Sequence, residues 1–428
     1  MIATAPGHFA PSPENAEPAR RPLEGELVSG LAGFLALESD WRALVELTET
    51  QNPFLAWEWA STWVRHFSAD RVRTVVVRSG GRVVAVAPFH LNRYWIGPGL
   101  RTSALQLFGP REIQHLFEIR EVPVAPGCDR VEVFETVIGR LLEHPGWDWV
   151  ELAGQGPSVD AWRHALSSVG GAGSVREEAE IMIPMLRLQR SWEEQKRLLK
   201  RNVKESIRHS YNSLARDGIA HEFSIHSDPA EIATEARLLF DLHHRRSLVA
   251  GRRWHRDHFT EAATRGFLVD AFERLAAAGR LSFARVTIEG AVVASRACLE
   301  ANGALYLYYS GFDPAWWRYG VPTLLVTEAL RDAIARSLGA VNLSPGLDQS
   351  KVRWDPVRIP MRNFVLTRRN PLSQARGRLL HLRKAARQPL HRTLDPVLSA
   401  GSRPAVRLRA LLGRGASAID VVTPGEER

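Results

Sequence analysis

Tyr308 to Ile334 reads YYSGFDPAWWRYGVPTLLVTEALRDAI. A strand ends near Ser310, a short polar loop follows, and an amphipathic helix opens at Pro322. Leu324, Leu325, Ala329, Leu330 and Ile334 recur at helical spacing, and the helix stops before Gly339. Proline suits a first helical turn, where its missing N–H has no intrahelical partner to lose. Such a corner either connects strand to helix or holds an anion on backbone N–H groups. Upstream, RLSFARVTI, EG, AVVASRACLE, NG and ALYLYYSGF alternate strand and tight turn, a three-stranded meander. Downstream, AVNLSPG and RNFVLTRR return as strands. The order predicts a mixed sheet with helices packed on it.

The text before the meander divides in two. Residues 1–30 are rich in Pro and Ala and read as a flexible leader. Residues 31–185 form an N-terminal α/β unit. It has a helix carrying Trp41, Leu44, Val45 and Leu47, a second carrying Trp57, Trp59, Trp63 and Phe67, and a hairpin around Gly80-Gly81. A further helix, RVEVFETVIGRLLEH, and a strand, WDWVELAGQ, follow. Trp59 and Trp63 share one helical face, which fits core packing better than sugar stacking. Residues 186–370 form the second unit. It opens on a Ser191/Glu194 capping box and one long helix ended by Gly218. Residues 371–428 are a basic tail.

Composition narrows the function classes. Only Cys128 and Cys298 occur, which excludes a disulfide scaffold and a four-cysteine zinc site. The net charge of +9 lies in the tail: residues 361–428 hold 14 Lys/Arg against 4 Asp/Glu, leaving the first 360 residues at −1. A nucleic-acid-binding body is therefore not expected. The tail reads as a surface segment or as a basic amphipathic helix resting on an anionic membrane. With no apolar run long enough to span a bilayer, the expectation is a cytoplasmic protein, with the tail as its peripheral membrane contact. No G-x-S-x-G elbow, phosphate-binding G-x-x-x-x-G-K-[ST] loop or H-x-x-x-H metal pattern occurs, and no metal is expected.

Residues 280–338 resemble the cofactor-binding half of a GNAT-superfamily acyltransferase. PFLAWEWASTWVRHF, LFDLHHRRS, YYSGFDP, YGVPTLL and GLDQSKVRW, in that order, resemble the CelD-like acetyltransferases of cellulose and exopolysaccharide biosynthesis. These are similar in layout to the FemABX proteins, with two GNAT-like domains in tandem. The resemblance covers residues 34–368. It implies an α/β fold of two tandem GNAT-like domains, each a mixed, mostly antiparallel sheet flanked by helices. It also implies direct attack of an amine on the thioester of acetyl-CoA or another acyl-CoA. The acceptor would be a small metabolite or an amino sugar. Tyr309, Ser310, Arg318, Gly320, Val321, Thr323 and Leu324 would hold the cofactor. The usual corner, Q/R-x-x-G-x-G/A, is reordered here to Arg318-Tyr-Gly-Val-Pro-Thr. Gly320→Glu is expected to abolish CoA binding by placing a carboxylate in the anion site.

The candidate chemical residues follow. Lys351 matches a FemABX-like lysine that faces the donor, where an ammonium neutralises an oxyanion or holds a carboxylate; Ser350 replaces the tyrosine beside it. Asp348 orients an incoming amine or shapes a turn. His243 and His244, at a helix end, take the amine proton or answer the helix dipole. Tyr319, at the corner, is the best-placed acid toward the thiolate. Strand alternation sends Tyr308 and Tyr309 to opposite faces. Two rival readings remain: a FemABX-like aminoacyltransferase using aminoacyl-tRNA, and a non-catalytic binder of a polysaccharide precursor or synthase.

Overall fold

The computed structural model describes residues 22–97, 99–109, 116–168, 171, 173–249, 257–379 and 382. The first half runs β1 (Leu23–Ser29), α1 (Gly30–Leu35), α2 (Glu38–Leu47), α3 (Trp57–Phe67), β2 (Val72–Ser79), β3 (Arg82–Gly97) and β4 (Leu100–Leu107). It continues with α4 (Arg130–Glu143), β5 (Trp149–Gln155), α5 (Pro157–Ser168), β6 (Gly173–Glu177) and β7 (Ile181–Arg187). The second half runs α6 (Trp192–Leu198), α7 (Arg201–Arg216), β8 (His221–His226), α8 (Ile232–Ser247), α9 (Ala262–Ala277), β9 (Leu281–Ile288), β10 (Ala291–Ala301) and β11 (Ala304–Phe312). Then come α10 (Val321–Ala335), β12 (Ala340–Asn342), α11 (Gln349–Val352) and β13 (Val357–Arg368).

All the strands join one sheet in the order β1-β2-β3-β4-β5-β13-β7-β12-β11-β10-β9-β8, with β6 paired to β13. The order contains a repeat. Strands β1 to β4 are antiparallel neighbours and β5 lies parallel to β4 across a helical crossover; β8 to β11 and β12 repeat the scheme. Each half is closed by a strand from the other side of the chain. β13, late in sequence, pairs with β5, while β7 pairs with β12, and β13 and β7 pair with each other. A boundary drawn at 185/186 falls inside β7.

Helices cover both faces because each carries one apolar stripe. α3, α8 and α9 pack on one side, where Trp57, Trp59 and Trp63 are all buried. That burial leaves no indole face for a sugar. α7 and α10 cover the opposite side of the second half.

Several expectations change. Residues 23–29 belong to no leader: β1 pairs with β2 along its whole length, because Leu23 and Leu27 pack on the first-half core. Residues 1–21 lie outside the described part. The long helix after Ser191 is two helices. Leu199 and Lys200 take extended ψ values of 140° and 150°, which lets buried Leu199 turn into the core. The tail begins as a helix over 371–379, held where Ser373 Oγ donates to Asp148 Oδ1 at 2.7 Å and Arg376 pairs with the same carboxylate at 3.1 Å. Its membrane role falls on 383–428, outside the described residues. Among the described residues, no helix is long and apolar enough to cross a membrane.

Candidate active site

β11 and β12 are paired only over Ala304–Tyr306 and Ala340–Asn342. Beyond Tyr306 the strands part, and a cleft of about 920 Å³ opens at the fork. Between the pairs Arg296–Ser310 and Cys298–Leu307, one residue of β10, Ala297, faces two of β11, so β11 carries a bulge at Tyr308-Tyr309. The extra residue breaks the alternation. Tyr308 and Tyr309 therefore lie in one apolar cluster, ring centroids 4.5 Å apart, and not on opposite faces as alternation predicted.

The bulge is held from two sides. Arg296 donates to the carbonyls of Leu307 (3.4 Å) and Tyr308 (3.1 Å) and to Ser310 Oγ (3.1 Å). From the helical face, α8 comes so close that a Cβ on Gly311 would stand 2.4 Å from the backbone N of His243. This glycine permits the contact, and His243 Nδ1 then donates to the Ser310 carbonyl at 3.0 Å.

Cations dominate the cleft wall: Arg246, Arg296, Lys351 and Arg353, against Glu118 and Asp348. Arg246 forms no ion pair or side-chain hydrogen bond with a described residue; its guanidinium lies over the Phe312 ring at 5.0 Å. Burial, then the like charge of Arg296, pulls its pKa down to about 10. Arg353 reaches Thr323 Oγ1 at 3.3 Å, its buried Nε has no hydrogen-bond partner, and burial lowers its pKa. Lys351 donates to the Pro345 carbonyl at 2.7 Å and stands 3.4 Å from Asp348. A recessed cation that no described residue pairs is poised for an anionic ligand.

The fork brings together His243, Tyr309, Ser310, Thr323, Asp348 and Lys351 of the sequence candidates. The others lie elsewhere. Tyr319 is buried behind the corner, donating to Asp217 Oδ2 at 3.0 Å, and the Arg318 guanidinium turns back onto its ring and hydroxyl. Val321 and Leu324 point into the core. His244 pairs with Asp257 at 2.8 Å on the surface. Gly320 is left-handed (φ 65°), and a Cβ there would meet Ser210 Oγ of α7 at 2.5 Å. A side chain at 320 would thus strike α7 before entering any anion site, which revises the expected reading of Gly320→Glu. Pro322 brings no N–H, and the N–H groups of Thr323 and Leu324 both return to the Gly320 carbonyl. The corner offers few backbone donors; side-chain cations stand in their place.

The sequence reading missed Glu118, Arg246, Arg296 and Arg353. The last three had a weak signal: an arginine inside the strand text AVVASRACLE, and arginines beside LHHRRS and SKVRW. Glu118 had none, since it comes from a loop of the first half. Its Oε2 accepts from Tyr306 Oη and Ser344 Oγ, each at 2.5 Å. One His/Glu group, His226, Glu231 and Glu235, has the spacing of metal ligands, but Arg285 already pairs with Glu235 at 2.9 Å.

Residues 201–352 match the family model described as an acetyltransferase (GNAT) domain. The second half carries a GNAT domain, the fold of N-acyltransferases that use acyl-CoA as co-substrate. Two solved structures share the architecture. FemX superposes with a TM-score of 0.53 at 11% identity, over 78% of this chain and 98% of its own. A conserved protein of unknown function from Bacteroides thetaiotaomicron VPI-5482 gives a TM-score of 0.51 at 14% identity, over 77% and 97%. Likeness at these identities is one of fold. No curated protein sequence matches the chain.

Proposed function

We propose that the chain is an acyl-CoA-dependent N-acyltransferase, acetyl-CoA being its donor, that acylates the amine of a small metabolite or amino sugar by direct attack on the thioester. The observation that carries the reading is the open fork of the GNAT domain, walled by Arg246, which no described residue pairs, with Arg296 and Arg353. The pantetheine arm lies between β11 and β12, and the diphosphate meets Arg246 and Arg353 beside the first turn of α10. These cations stand in for the donor that Pro322 removes. The bulge at Tyr308-Tyr309 turns backbone toward the thioester, the arrangement that stabilises an oxyanion. The order of motifs supports a place among CelD-like acetyltransferases of exopolysaccharide biosynthesis. Calorimetry with CoA, then thiol release from acetyl-CoA in the presence of an amine pool, tests the reading. It predicts binding and turnover by the wild type and lost CoA affinity in Arg246→Gln; unchanged affinity in that variant removes the fork as the donor site.

A second reading has one observation in its favour. A groove of about 650 Å³ along α6, α7 and α10 is lined by Lys196, Arg201, Lys204, Arg208 and Arg331 with Glu205 the one acid. The near-neutral charge of the first 360 residues hides this local concentration. It suits the FemABX-like alternative, in which the acyl donor is a charged tRNA, and filter binding with aminoacyl-tRNA separates the two.

A further inference from the structure

Glu118 sits where the fork closes. Tyr306 is the last residue of β11 still paired with β12, opposite Asn342, and Ser344 follows two residues after Asn342 on the other arm. The hydroxyls of both donate to Oε2 of Glu118, so one carboxylate ties the two arms together. Oε1 makes no hydrogen bond with a described residue, and Glu118 lines the cleft. The anchoring is specific. Ser344 is held at φ 70°, a left-handed conformation uncommon for serine, by its N–H donating to Asn342 Oδ1 at 2.9 Å. The loop bearing Glu118 is fixed to the bulge where Tyr308 Oη donates to the Leu116 carbonyl at 3.2 Å.

We propose that Glu118, supplied by the N-terminal half, is the general base of the acyl transfer, with Tyr306 and Ser344 as its positioning residues. This rests on the reading of the fork as the acyl-CoA site. The ammonium of the acceptor gives one proton to Oε1, and the freed lone pair forms the C–N bond at the thioester carbonyl carbon. The C–S bond of the adduct then breaks, the thiolate takes up the second N–H proton as CoA thiol, and Glu118 returns its proton to solvent. Charge balances: ammonium and thioester become amide, thiol and one proton. A base here must be stronger than an exposed carboxylate. Burial pushes the pKa of Glu118 up, against the bonds from Ser344 and Tyr306 and the charges of Lys351 and Arg296. The titratable and charged groups facing it are Arg296 from β10, Tyr306 and Tyr308 from β11, and Lys351 from α11. Both tyrosines are raised well above the usual phenol value, first by burial, so they stay protonated and Tyr306 remains a donor.

The test is the pH profile of turnover in Glu118→Gln and Tyr306→Phe, beside acyl-CoA calorimetry on the same proteins. Glutamine keeps an acceptor oxygen for both hydroxyls, so the fork stays tied while the base is lost. Turnover should fall on the order of 10²–10⁴-fold, with acyl-CoA affinity within about twofold and the acidic limb of the profile gone. Tyr306→Phe removes a donor that favours the carboxylate, so its acidic limb should move to higher pH. Undiminished turnover in Glu118→Gln, or an acidic limb unmoved in Tyr306→Phe, overturns the assignment. Infrared titration of the wild type, with the Glu118 band identified by its loss in Glu118→Gln, reads the same group without turnover. A pKa at or below that of an exposed glutamate also overturns it. Loss of acyl-CoA binding by the wild type would instead be a failure of the functional reading.

Discussion

At the N-terminal fork, β4 leaves β5 after the pair Gln106 and Glu151; at the C-terminal fork, β11 leaves β12 after Tyr306 and Asn342. Topology is the same, but the contents differ. The first fork is filled by a continuous polar chain. His90 bonds Asn92 (2.6 Å), Asn92 bonds Gln106 (2.8 Å), and Gln106 bonds Glu151 (3.0 Å). Arg120 closes the chain with Glu151 at 2.8 Å and Asn363 of β13 at 2.6 Å. All of these side chains are buried, and charge is matched inside the protein. In the second fork the cations outnumber the acids, and Arg246 pairs with no described residue. The first fork spends its polar groups on itself; the second is the one proposed to offer them to a ligand. Residues 118–120 serve both: Glu118 faces the open fork and Arg120 the closed one.

The comparison can be broken most forcefully at Arg120. Arg120→Ala leaves Glu151 buried without its partner, and should cost about 3–5 kcal/mol in urea unfolding. A loss under about 1 kcal/mol would mean the closed fork is wetter than its burial implies. His90 gives a pH-dependent version of the same test. Burial, then the charge of Arg71, lowers its pKa to about 3, below the unfolded value near 6.5. The unfolded chain therefore binds the extra proton first, and stability present above pH 6.5 is lost on acidification. Between pH 7 and pH 5 this amounts to about 2 kcal/mol. His90→Gln should lose that much less than the wild type over the same range.

Effects at the open fork should be smaller in stability and larger in binding. Arg246→Gln should weaken CoA binding about tenfold or more, with the unfolding midpoint unchanged or raised, since a desolvated charge is removed. A lowered midpoint would mean that Arg246 is structural. At the corner itself, Gly320→Ala should cost about 1–2 kcal/mol for a left-handed alanine, plus the contact with Ser210 Oγ. Adding Ser210→Ala should recover the contact and leave the backbone cost. Full recovery would show that φ at 320 relaxes.

Much of the second half was legible. EG and NG turns between alternating strands, and a proline-started helix, are local signals, and the meander and α10 follow them. What escaped depended on distance along the chain. The exchange of β7 and β13 joins residues 185–187 to 340–342 and 361–367 to 149–155, pairings no local pattern encodes. Glu118 meets Ser344 across 226 positions. Alternation fails at Tyr308 and Tyr309 because a bulge is set by the partner strand, not by its own residues. Proximity to the corner points to Tyr319 and Arg318 as site residues, whereas the left-handed turn at Gly320 sends them behind it against α7.

The reciprocal strand exchange has a bearing on biosynthesis. Until residue 368 has emerged from the ribosome, β5 has no neighbour beyond β4, and the nascent N-terminal half presents a bare sheet margin. A chain stopped before residue 357 would keep that margin permanently and invite self-association. Completion of the second half and sealing of the first are thus a single event, timed by the emergence of β13.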